Sequence, residues 1–192
     1  MIPAAAAASA VLFATTAAFA HTGVGATTSF MAGLGHPLGG FDHILAMVAV
    51  GLWAASKGGK ALWLWPCVFV GVMLLGGMLG IAGVSLPAIE PGIAASIVVL
   101  GTMVAVSANL PLWAGAGIVG LFALAHGHAH GTEAPEAGAA LLYGAGFALA
   151  TAALHAAGIG LALASRGKVW RTAVRAAGAA VALAGAALAF GA

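Results

Sequence analysis

The sequence predicts an all-α integral membrane protein, a six-helix transmembrane bundle behind an N-terminal signal peptide. Three observations predict it. Of the 192 residues, 63% are hydrophobic and 5% are charged, against about 25% charged in a soluble domain. The apolar residues fall into runs near the length a spanning helix needs, about 20 residues. Each run is separated from the next by a short stretch of glycine, proline, asparagine or charge.

Residues 1–20 read as the signal peptide. The core AAAAASAVLFATTAAFA is apolar, and Ala18-Phe19-Ala20 is an A-x-A cleavage site, although no Lys or Arg precedes the core. An uncleaved first helix is the alternative. Cleavage leaves residues 21–192 as a single membrane domain that begins at His21, outside the cytoplasm, where the free amine and imidazole form a weak metal-capturing pair.

Span one covers about 37–55. Pro37 suits a first helical position, where its missing N–H has no partner to lose, and Gly39 and Gly40 are points where the helix can break. Span two, about 61–82, follows Lys57-Gly58-Gly59-Lys60. It holds the single cysteine, Cys67, read as a small core residue; one cysteine excludes an intramolecular disulfide. Its Gly76-Gly77-Met78-Leu79-Gly80 contains a GxxxG, read as close packing within the bundle, with an oligomer face as the alternative. Span three, about 88–107, opens Pro87-Ala88-Ile89-Glu90-Pro91. Span four, about 110–128, follows Asn109-Leu110-Pro111 and closes in a run of histidines. Span five, about 138–163, follows a loop bearing Glu133 and Glu136, and span six, about 169–190, follows Ser165-Arg166-Gly167-Lys168. No internal repeat is evident.

The basic residues orient this bundle. Lys57 and Lys60 lie between spans one and two, and Arg166, Lys168, Arg171 and Arg175 lie at or after the junction of spans five and six. With the mature N-terminus outside, all six fall on the cytoplasmic side, which is the positive-inside pattern. Both termini are then periplasmic, in the inner membrane of a Gram-negative host. A net charge of +2 is too small to suggest nucleic acid, and no Walker-type loop is present to bind a nucleotide.

Against this apolar background the polar side chains are few and gathered. His36-Pro37-Leu38-Gly39-Gly40-Phe41-Asp42-His43 heads span one. At about 1.5 Å per residue, Asp42 and His43 lie roughly 8–9 Å below its start, and His36 and His43 share a face if the helix is regular. Glu90 heads span three, and His126-Gly127-His128-Ala129-His130-Gly131-Thr132-Glu133 ends span four. His126 and His130 face the same way on a continued helix, and His128 points elsewhere. All these groups reach the same outer level from three spans. Each ionisable group in a membrane helix costs roughly 2.5–3.5 kcal/mol on insertion scales, so such a gathering implies a site. His155 lies deeper and reads as a buried histidine bonded to a carbonyl, with a ligand on an inward path as the alternative.

Imidazole with some carboxylate favours borderline divalent metals: nickel, cobalt, copper or zinc. Too few acids are present for calcium or magnesium, and the absence of thiolate argues against soft Cu(I). Protonated imidazole cannot ligate, so metal binding is expected to weaken as pH drops through roughly 6.

His36-Pro37-x-x-Gly40-x-Asp42-His43 resembles the HPxxGxDH signature of the HupE/UreJ family, and His126 to Glu133 resembles its second signature, roughly HGxAHGxE. The resemblance covers the whole chain. It implies a secondary permease for Ni2+, or for Co2+, that supplies hydrogenase or urease maturation. It also implies His36, Asp42, His43, Glu90, His130 and Glu133 as the important residues; His21, His126 and His128 are read beside them, from their place in the chain, as outer ligands of lower rank. Ni2+, alternatively Co2+ or Zn2+, is then a transported ligand, and no prosthetic group is expected. The rival readings are a membrane metalloenzyme or haem- or zinc-binding protein, and a non-transporting, periplasm-facing metal chaperone or sensor. Neither HExxH nor CxxCH occurs in the chain, so no enzyme is expected.

Overall fold

The computed structural model describes residues 30–134, 137–164 and 167–189. Every regular element among them is an α-helix: α1 (Phe30–Gly39), α2 (Phe41–Lys57), α3 (Ala61–Ile81), α4 (Ile89–Ala105), α5 (Leu112–Thr132), α6 (Ala137–Ala164) and α7 (Lys168–Ala189). The signal-peptide stretch, His21, Glu136 and Arg166 lie outside the described residues.

This is a multi-pass membrane architecture. Helices α3, α5, α6 and α7 are each long and apolar enough to cross a bilayer, and α1 with α2 forms a further candidate span bent by 87°. Helix α4 is a shorter apolar helix of 17 residues. Phe41, Trp113, Leu121, Leu141, Val169 and Leu183 point outward. Such a coat would drive aggregation in water, whereas acyl chains solvate it. Cys67 belongs to this outer surface rather than to the core expected for it. A small apolar side chain gains nothing by leaving lipid for protein.

Small residues hold the helices together. On α3, Gly76 and Gly80 lie against the backbone of Leu124 and His128; on α5, Gly127 and Gly131 lie against the backbone of Met73 and Gly77. The GxxxG is therefore occupied inside the chain. Gly51 and Gly158 join α2 to α6, Gly101 and Gly178 join α4 to α7, and Gly33 and Gly146 join α1 to α6. A Cβ at any of these positions would enter the neighbouring backbone, so the absence of side chains sets the interaxial distance.

The first span departs from the expectation of one helix beginning at Pro37. Pro37 lies buried inside α1, and the chain breaks at Gly40, which has φ −110° and ψ 122°. The N1 preference of proline assumes that no helix precedes it. Here the upstream stretch FMAGLG has weak intrinsic helicity but is helical because α6 receives it through Gly33 and Gly146.

Among the described residues, Lys57 and Arg175 lie at one end of the bundle. There Trp53 Nε1 donates to the Ala108 carbonyl at 2.9 Å, Trp65 Nε1 donates to the Leu112 carbonyl at 3.0 Å, and the two indoles stand 4.4 Å apart. Lys57 Nζ donates to Asn109, and Arg175 Nε donates to the Ala105 carbonyl. The histidine-bearing segments lie toward the other end. Helix α5 continues past the expected stop at 128 to Thr132, and this extra turn carries His130.

Candidate metal centre

The end of α5 alternates small residues with imidazoles. Gly127 and Gly131, four residues apart, dock on α3. The positions just before them, His126 and His130, form the adjacent stripe of the helix, about 100° around. Both turn to α2: the His43 ring lies 5.0 Å from His126 and 4.6 Å from His130. His128 takes a third direction, as expected, and its Nε2 donates to the Val84 carbonyl at 2.6 Å. His128 thus tethers the turn leading to α4.

The break at Gly40 shapes the other half. His43 Nδ1 donates to Asp42 Oδ1 at 3.0 Å. A Cβ on residue 40 would stand 2.5 Å from that oxygen and 3.0 Å from that nitrogen, so glycine makes room for the pair. With its Nδ1 proton engaged, a neutral His43 presents a lone pair at Nε2, and that atom faces His130 Nε2 at 2.6 Å. His36 arrives from α1, with its ring 4.7 Å from His130. The expectation that His36 and His43 share one face of a straight helix is thus replaced: the bend separates their helices, and His130 unites them. His36, His130 and Glu133 each offer a ligand atom, all within 4.8 Å of one another.

An apolar wall backs these donors. Phe147 of α6 lies 4.6 Å from His130 and 5.8 Å from His36, ring to ring, and Tyr143 lies 5.8 Å from His36. His126 is held from behind. The Ser96 hydroxyl donates to the Ile93 carbonyl at 2.6 Å, so its oxygen accepts from His126 Nε2 at 2.9 Å. That assignment leaves the His126 Nδ1 lone pair unengaged, and Nδ1 of both His126 and His130 is buried without a hydrogen-bond partner.

Glu90 stands exposed in the first turn of α4, and among the described residues no hydrogen bond or ion pair joins it to the cluster. His155 is buried, as expected, but neither ring nitrogen has a partner, so the expected carbonyl bond is not formed. Ser96, Tyr143 and Phe147 shape the site without having been picked out from the sequence. Their signal was weak: one serine in an apolar helix, and two aromatics four residues apart in a span rich in alanine and glycine.

The donors suit a borderline divalent ion. Ligand nitrogens sit about 2.0–2.1 Å from such a metal, so two on one ion stand roughly 3 Å apart. The His43 and His130 nitrogens need to separate by only a few tenths of an ångström. Asp42 stands behind His43, where a carboxylate fixes the tautomer and raises the basicity of a ligating imidazole.

A family model described as HupE / UreJ protein matches residues 9–188. The chain is also similar to "Protein HupE" from Rhizobium leguminosarum bv. viciae, 52% identical over 174 residues and 91% of each chain. No solved structure matches it.

Proposed function

The chain belongs to the HupE/UreJ family, a family of metal transporters rather than enzymes, and from that premise we propose a permease that takes up Ni2+, or Co2+, across the inner membrane. The metal would serve hydrogenase or urease maturation. The reading takes the bent α1–α2 unit, α3, α4, α5, α6 and α7 as six spans behind a cleaved signal peptide. Its basic end is cytoplasmic and both termini are periplasmic. The convergence of His36, His43 and His130 from three helices carries the reading, because a single cation compensates all of them.

Glu133, exposed at the end of α5, attracts the hydrated ion. His36 and His130 exchange part of its hydration for nitrogen. His43, oriented by Asp42, completes the capture, and His126 Nδ1 supplies a further donor one turn deeper on α5. Phe147 and Tyr143 keep competing water away. A divalent ion entering a negative interior gains about 4.6 kcal/mol per 100 mV, enough to drive uptake without nucleotide.

The test is flux in proteoliposomes under an inside-negative potential, with nickel, cobalt and zinc supplied separately. Accumulation of nickel or cobalt that disappears in Asp42→Ala supports the reading. Binding without flux would replace the permease with the chaperone or sensor reading.

A further inference from the structure

The cluster accounts for every histidine of the described residues except His128, tethered to Val84, and His155. His155 is 1% exposed, and both its ring nitrogens lack partners. Two unsatisfied polar atoms in an apolar bundle cost more than one hydrogen bond would return. A phenylalanine would fill the same space without that cost.

The surroundings of His155 connect it to the cluster. Tyr143, Phe147, Thr151 and His155 recur every four residues on α6, and all are buried. They form one stripe facing the core. Its upper end, Tyr143 and Phe147, walls the first site. Eight residues separate Phe147 from His155, about 12 Å along the helix. Opposite runs a matching stripe of α3: Met73 meets Thr151, whose hydroxyl lies 3.8 Å from Sδ, and Phe69 stands edge-on to His155 at 5.0 Å. The same Phe69 ring lies 6.0 Å from His126. One aromatic ring therefore neighbours both the deepest imidazole of the cluster and the isolated one.

Beyond His155 lies a groove of about 440 Å³ between α3 and α6, lined by His155, Leu62, Pro66, Cys67, Val70 and Ile159. Pro66 has no N–H to donate to the Leu62 carbonyl one turn back. An oxygen lone pair is thus freed beside a groove that the imidazole also lines.

We propose that His155 is a second coordination station for the cargo ion, receiving it from the cluster past Phe69 and passing it toward the basic end of the bundle. The ligand class is the same borderline divalent cation. The station is sparse, with the His155 imidazole as its one positioned donor. Sparseness suits a transfer point, because an ion held by many donors would not leave. The proposal rests on the permease reading above.

The two are separated by measuring Ni2+ binding and Ni2+ flux on the same full-length variants. Binding is read at equilibrium in detergent and flux in proteoliposomes. His155→Ala keeps high-affinity Ni2+ binding within twofold and leaves KM for external Ni2+ unchanged, while maximal flux falls at least tenfold. His155→Asn, which keeps a polar donor of smaller volume, recovers part of that flux. Wild-type flux in both variants overturns the proposal. Loss of high-affinity binding in both also overturns it, because His155 would then support the cluster rather than follow it. Asp42→Ala reports on the permease reading alone: undiminished flux there would refute the cluster as the entry site whatever His155 does.

Discussion

Gly39 and Gly40 are adjacent, and both lie at the bend, yet the structure assigns them opposite sensitivities to a single methyl group. A Cβ on Gly39 meets nothing within 4 Å, and one on Gly40 would stand 2.5 Å from Asp42 Oδ1. The φ of Gly40 is −110°, which alanine adopts freely, so Gly40→Ala strains no backbone. It moves the carboxylate. Restoring an ordinary 3.4 Å contact displaces the oxygen by 3.4 − 2.5 Å, or 0.9 Å. The present 3.0 Å bond to His43 Nδ1 does not survive such a shift. Hydrogen bonds to charged groups contribute about 1.5–3 kcal/mol, and loss of the carboxylate behind a ligating histidine typically costs about 10–100-fold in metal affinity. Gly40→Ala is therefore expected to weaken Ni2+ binding about 10–100-fold, with a modest fall in melting temperature in detergent from the lost hydrogen bond. Gly39→Ala is expected to bind as the parent does. Equilibrium Ni2+ titration of the two purified variants decides it. Parental affinity in Gly40→Ala would refute the role given to the Asp42–His43 pair, and equal losses in both would show that the bend itself is at fault.

Three further outcomes follow from the same geometry. Asp42→Asn retains an oxygen for His43 Nδ1 but removes the charge, so affinity should fall about 10-fold, toward the lower end of that range, in the same titration. Gly127→Ala drives a methyl group into the Met73 backbone; overpacking costs typically 1–3 kcal/mol, so thermal unfolding should shift down and binding weaken as α5 is levered off α3. His128→Ala removes the tether to the Val84 carbonyl and empties the space of a buried imidazole, so it should cost at least about 1 kcal/mol of stability and leave the Ni2+ affinity unchanged. A matching fall in affinity would make His128 a ligand.

The amino-acid sequence by itself determined the membrane class, the helical runs and the small set of polar residues available to a site. Composition and run length suffice for the first two, because a bilayer leaves the backbone almost no other way to satisfy its hydrogen bonds. The four-residue spacing of His126 and His130 already placed them on one stripe, and an interior Asp42-His43 pair already implied a partner. The tertiary structure decided the rest, because it depends on where helices touch. Only the docking of Gly33 and Gly146 shows that a helix precedes Pro37, and only the 87° bend shows how His36 leaves α2 and still meets His43 across His130. Gly40 and Gly39 are identical in sequence terms; the distance to one carboxylate oxygen separates them. His155 passed for an ordinary core histidine until its neighbours were known. A ring nitrogen is satisfied or left open by the atoms that folding brings to it, and no local pattern records which.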